Sequence, residues 1–126
     1  MQIASEARKL VLNHKKLRVH ELVGGISSKR QYLNWKKNTP DIVVATPGRL
    51  LDMLDDKSIR DAISRTQTLV LDEADMLLEL GFRDKIQMIA SMLPPVEERM
   101  SFMFSATMDP HICLLYTSPS PRDGLL

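Results

Sequence analysis

Asp72, Glu73 and Asp75 stand directly behind the apolar run Thr68-Leu69-Val70-Leu71. A short β-branched and leucine-rich run between turn signals predicts a buried strand. Its acidic end then falls at the C-terminal edge of a sheet, where open α/β folds collect ligands. Carboxylates are costly to bury unless they hold a metal or a hydrogen-bond network. The pattern therefore suits a strand that presents acids to Mg²⁺ beside a nucleotide phosphate. An acidic first turn of a surface helix, favoured by the helix dipole, would produce the same letters.

Three further groups share that placement. Ser105-Ala106-Thr107 follows the apolar run 100–104, Ala45-Thr46-Pro47-Gly48-Arg49 follows Ile42-Val43-Val44, and Gly24-Gly25 closes the run 17–23. Each sits at a strand-to-helix turn, so all four groups fall at C-terminal strand edges. One such coincidence carries little weight, but four in series make a site.

The elements that must position them alternate along the chain. Ile3, Ala7, Leu10 and Val11 recur with helical spacing and predict a helix over 2–14. A strand is expected over 17–23, then a helix capped by Ser27 or Ser28 and running to Lys37, with Tyr32, Leu33 and Trp35 on or near its apolar side. Thr39-Pro40 breaks it, Ile42 to Ala45 is a strand, and Thr46 caps a helix with Pro47 at its first position. A helical turn at 59–63 leads into the Leu69 strand. Two helices separated by Gly81 follow, stopped by Pro94-Pro95, and Met100 to Phe104 is the last strand. Strands alternating with helices predict an α/β fold with a parallel sheet covered on both faces.

Composition limits the function classes. The 126 residues hold one domain at most, and 44% hydrophobic with 26% charged residues is ordinary for a globular chain. A single cysteine, Cys113, excludes an internal disulfide framework and fits a reducing compartment. No apolar stretch is long enough to span a membrane, so no membrane partner is expected. The net charge of +1 conceals a polarity of +7 over residues 1–49 and −6 over residues 50–126. A basic half can meet phosphates and an acidic half can hold a cation, though solvated helix faces give such numbers too. His14, His20 and His111 show no metal-ligand spacing, and Trp35 and the eight methionines read as packing residues. From Cys113 onward the alternation stops. Leu114 to Asp123 resembles translated adapter read-through, so 113–126 is expected to be a non-native tail, a natural Ser/Pro-rich disordered tail being the other reading.

Taken together, these groups resemble the motifs of the DEAD-box ATP-dependent RNA helicases, in the first of that family's two RecA-like domains. Asp72-Glu73-Ala74-Asp75 matches motif II, Ser105-Ala106-Thr107 motif III, Thr46-Pro47-Gly48-Arg49 motif Ib and Gly24-Gly25 the GG motif. Gly81-Phe82 is similar to the Gly-Phe that follows the DEAD helix, and Met1 to Ala4 to the helix after the Thr-Arg-Glu-Leu-Ala motif. The resemblance covers about residues 1–110 and implies, over 1–112, part of a first RecA-like domain: a truncated RecA-like parallel sheet flanked by helices, its P-loop strand missing. It implies ATP and Mg²⁺ as cofactors. Asp72 would hold the metal through water, with Glu73 beside it orienting and deprotonating the attacking water. Asp75, Ser105 and Thr107 would couple hydrolysis to RNA. Gly24, Gly25, Thr46, Pro47, Gly48 and Arg49 would bind the RNA backbone without reading bases. The expected partners are RNA and the second RecA-like domain, in an intracellular setting whose compartment is open.

No Gly-x-x-x-x-Gly-Lys-Ser/Thr occurs in the chain, so nothing in it can cradle nucleotide phosphates. The P-loop strand is expected outside these residues, which leaves the motif III strand with an exposed apolar edge and the isolated chain poorly soluble. Three function classes stand at this point: part of an ATP-dependent RNA helicase, inactive alone; a catalytically dead RNA- or partner-binding remnant; and a RecA-like ATPase acting on DNA or protein.

Overall fold

The structure is a computed structural model that describes residues 2–112. The expected tail from Cys113 lies outside the described residues. The order is α1 (Gln2–Leu10), β1 (Val19–Leu22), α2 (Ser28–Lys37), β2 (Ile42–Ala45), α3 (Pro47–Met53), α4 (Lys57–Ile63), β3 (Thr68–Leu71), α5 (Ala74–Glu79), α6 (Arg83–Met92), a 3-10 turn at Val96–Glu98 and β4 (Met100–Met103). The chain divides into two units, residues 1–53 and the residues from Leu54 onward.

In the first unit β1 and β2 run parallel, with Val19 opposite Ile42 and Leu22 opposite Ala45. The pair is closed at its start by Asp41, whose Oδ2 accepts the Arg18 N–H at 2.8 Å while the N–H groups of Asp41 and Ile42 donate to the Arg18 carbonyl. At its end the Thr46 N–H donates to the Leu22 carbonyl at 3.0 Å. Ser27 caps α2 by accepting the Arg30 N–H. Helices α1 and α2 both pack on β1. Ala4, His20, Leu22, Gln31 and Trp35 are buried, and His20 meets Trp35 edge to face with centroids 6.3 Å apart.

Two expectations are adjusted here. The helix expected over 2–14 forms but ends at Leu10, and its Ile3 and Leu10 are 51% and 82% exposed, because α1 docks through the small side chain of Ala4 and turns its larger apolar residues outward. On α2 it is Gln31 and Trp35, one helical turn apart, that face inward, while Leu33 is exposed.

The second unit pairs β3 with β4, again parallel, Thr68 opposite Met100 and Leu71 opposite Met103. Asp56 caps α4 by accepting the N–H groups of Ser58 and Ile59. Helix α5 ends in a Schellman motif: Phe82 N–H donates to Leu77 O and Gly81 N–H to Leu78 O, with Gly81 at φ +80°, a conformation glycine adopts without strain. Leu54, Ile59, Ile63, Ala74, Ile86, Ile89, Leu93 and Ile112 are buried.

The expected cover on both faces of the sheet is not found in this unit. Leu69 and Leu71 turn inward, whereas Val70, Met100 and Phe102 are 53%, 60% and 44% exposed. Side chains alternate along a strand, so one face of an apolar pair stays open unless a second layer lies on it. Among the described residues no strand other than β3 pairs with β4.

Candidate functional site

Parallel pairing places the motifs. Because β1 and β2 run in the same direction and in register, Gly24-Gly25 and Thr46 to Arg49 leave the same edge of their sheet. The same holds for β3 and β4, whose shared edge carries Asp72 to Asp75 and Ser105 to Thr107.

The acidic edge is built by backbone. Phe104 N–H donates to Leu71 O at 2.8 Å, and Phe104 O accepts the Ala74 N–H at 3.0 Å. These bonds carry the ladder past the end of both strands. Ser105 Oγ accepts the Asp75 N–H at 3.2 Å, so residues thirty apart in sequence are tied directly. Thr107 is exposed and makes no hydrogen bond among the described residues. Asp72, Glu73, Asp75, Met76, Phe104, Ser105 and Ala106 line an open cavity of about 320 Å³.

Asp72 and Glu73 are exposed, although the strand they follow is half-buried. The reason is Glu73, which adopts φ 51° and ψ 50°, the left-handed region, and swings the chain out of the strand before α5 begins. For a residue with a Cβ that conformation costs on the order of 1–2 kcal/mol. Asp72 Oδ1 supports it by accepting the Glu73 N–H at 3.0 Å. Nothing in the letters signals it, since Glu is not among the residues that favour this region.

The donor set suits Mg²⁺. No cluster of three or more His, Cys, Asp or Glu side chains forms a protein cage among the described residues. Mg²⁺ does not use such cages; it keeps several waters and takes one or two carboxylates together with substrate phosphates. Asp72 keeps its second carboxylate oxygen free of protein partners among the described residues, at the mouth of the cavity.

On the other edge the glycine turn is held by side chains. Gly25 takes φ +82°, and a side chain added at Gly24 or Gly25 would meet open space. Their N–H groups find no partner among the described residues. Arg49 Nη1 donates to the Ile26 carbonyl and to Gln31 Oε1, both at 2.7 Å, and Gln31 Nε2 donates to the Val23 carbonyl at 3.1 Å. Sequence reasoning missed Gln31. Its spacing from Trp35 was the available signal, hidden because a polar residue on an apolar face reads as solvent-facing.

Comparison with known proteins decides the family. The sequence model of the DEAD/DEAH box helicases matches residues 1–114. The chain belongs to that family. DEAD-box ATP-dependent RNA helicase 26 of Oryza sativa subsp. japonica is 42% identical over 108 residues, covering 85% of this chain and 20% of the relative. ATP-dependent RNA helicase CshA of Listeria monocytogenes is 43% identical, with 86% and 20% covered. This DEAD-box chain thus spans about a fifth of the length of those relatives. Among solved structures, Mss116p bound to ssRNA and AMP-PNP superposes with a TM-score of 0.76 at 36% identity, covering 90% of this chain and 24% of that one. A hypothetical ATP-dependent RNA helicase from Sulfolobus tokodaii gives 0.75 at 37% identity, covering 90% and 32%. The α/β fold with parallel strands flanked by helices is that of the DEAD-box helicase neighbours, and no described helix is long and apolar enough to cross a membrane.

Proposed function

We propose that this chain is the part of an ATP-dependent RNA helicase that carries the hydrolytic carboxylates on one sheet edge and RNA-backbone contacts on another. The observation that carries the reading is the pair of parallel registers, which gather the four motifs two by two. RNA is the partner named for the Mss116p neighbour, together with AMP-PNP.

At the acidic edge Asp72 and Glu73 would hold Mg²⁺, Asp72 through water, and the ion would offset charge on the ATP phosphates. Glu73, exposed at the cavity mouth, orients the attacking water and takes its proton. Asp75 is held by Ser105, so a shift at the nucleotide is felt at the β4 exit. Thr107, exposed two residues beyond Ser105, would contribute a hydroxyl to the same coupling. On the other edge Gly24 and Gly25 offer N–H groups to a phosphodiester, and Thr46, Pro47, Gly48 and Arg49 line the adjoining turn. Such contacts do not read bases, so binding is sequence-independent and steeply salt-dependent. The phosphate cradle and the second RecA-like domain belong to other parts of the polypeptide. Residues 1–112 are then a partial first RecA-like domain. The isolated chain does not hydrolyse ATP.

ATP hydrolysis by the complete helicase, measured with single-stranded RNA and with DNA of the same sequence, tests this. RNA should stimulate turnover strongly and DNA weakly. Equal stimulation would remove the RNA assignment in favour of a RecA-like ATPase of another substrate class.

A further inference from the structure

Arg49 belongs to the turn proposed above as an RNA contact, yet its guanidinium is spent largely on the protein. One of its nitrogens holds both the Ile26 carbonyl and the Gln31 amide oxygen, each at 2.7 Å. Gln31, only 6% exposed, passes the contact on to the Val23 carbonyl through Nε2. Val23 and Ile26 are the residues on either side of Gly24-Gly25. The glycine turn is therefore gripped at both shoulders by one connected pair of side chains. Turning both shoulder carbonyls inward onto donors leaves the intervening N–H groups outside, and those of Gly24 and Gly25 are unpartnered among the described residues. The turn needs such a grip, because Gly25 at φ +82° has the broadest conformational freedom of any residue and loses most by being fixed.

We infer that Gln31 and Arg49 are positioning residues: a brace that holds the Gly24-Gly25 amides preorganised for a phosphodiester oxygen, with Arg49 acting through the turn instead of as a phosphate ligand. Fixing the donors beforehand removes an ordering cost from each binding event, so the brace acts on RNA affinity without itself touching RNA. This rests on the RNA reading above.

A phosphate ligand and a brace predict different behaviour in the complete helicase. For a brace, Gln31→Leu, close in volume but without the amide, raises about tenfold the concentration of single-stranded RNA that half-saturates ATPase stimulation. The maximal rate at saturating RNA holds. Arg49→Met weakens RNA binding to a similar extent, and the double variant is little worse than either, since both break one network. In every case the slope of log affinity against log salt stays at the wild-type value. Hydrogen exchange of the Gly24 to Ser27 amides, measured without RNA, accelerates in Gln31→Leu. A slope reduced by about 0.7 in Arg49→Met, with wild-type RNA affinity in Gln31→Leu, would make Arg49 a phosphate ligand and overturn the inference. Unchanged exchange in Gln31→Leu would overturn it equally. Were the wild-type enzyme indifferent to RNA, the RNA reading itself would fall, and the exchange rates would still decide whether the brace exists.

Discussion

The two motif-bearing edges of this molecule are assembled by different means. In the first unit the Gly24-Gly25 turn depends on side chains: Gln31 and Arg49 grip it, and Gln31 shares the inward face of α2 with Trp35, the largest residue of that core. In the second unit the acidic edge depends mainly on main chain, through Phe104 N–H to Leu71 O and Ala74 N–H to Phe104 O, with two side-chain ties, Ser105 Oγ accepting the Asp75 N–H and Asp72 Oδ1 the Glu73 N–H. An edge set by backbone tolerates replacement of its side chains without moving. One set by side chains does not. Substitutions should therefore separate chemistry from architecture at the acidic edge and confuse them at the glycine turn.

The largest effect expected is at Glu73. In the complete helicase Glu73→Gln should lower ATP turnover by about a thousandfold or more, within the range removed with a general base, while ATP-dependent RNA binding persists. The side chain is exposed and bonded to nothing in the described structure, so its loss of charge disturbs no packing. Normal turnover in that variant would exclude the role assigned to it. In contrast, Trp35→Ala should cost about 3–5 kcal/mol in urea unfolding, because the indole is 3% exposed and a cavity is left behind. It should also loosen Gln31 and so weaken RNA binding. A loss below about 1 kcal/mol would mean that the first unit can repack, and that its edge does not depend on its side chains.

Much of this was legible in the letters. The bounds of β2 and α2, Pro47 at the first position of α3 and Gly81 behind α5 follow from local rules, since β-branched runs, caps and breakers act over a few residues. Even the gathering of motifs on strand edges follows from alternation of strands and helices. What was hidden depends on neighbours distant in sequence. Gln31 turns inward because the Val23 carbonyl and the Arg49 guanidinium await it; Ile3 and Leu10 turn outward because Ala4 docks more closely; Glu73 turns left-handed because Ala74 and Asp75 are pinned to residues thirty apart. Periodicity cannot report any of these.

The strain at Glu73 gives a smaller test of the same contrast. Glu73→Gly should stabilise the second unit by about 1 kcal/mol, the left-handed penalty less the extra freedom of glycine when unfolded, while removing hydrolysis altogether. Stability and activity would then move in opposite directions at one backbone position. A destabilised variant would mean that the Glu73 side chain supports the edge after all.

The smallest effect belongs to the first unit and concerns pH. His20 is 8% exposed on β1, its ring edge against Trp35, and its buried Nδ1 has no hydrogen-bond partner. Burial, reinforced by the positive charges of Arg18 and Arg8, lowers its pKa below the ordinary histidine value of 6.5. The unfolded chain then binds the proton more readily than the folded one, so stability is fully present above 6.5 and declines as pH falls toward the lowered folded value. The urea midpoint should drop between pH 7 and 5, before most carboxylates titrate, and His20→Phe, which keeps a ring against Trp35, should flatten that drop. Amide exchange localises it. At pH 5.5 the β1 and α2 amides, which flank the His20–Trp35 contact, should exchange faster than at pH 7 by a larger factor than those of β3 and α6. Acid would thus loosen the glycine turn before the carboxylate edge. Equal acceleration in both units, or a slope unaltered by His20→Phe, would show that the two edges do not differ in the way their bonding implies.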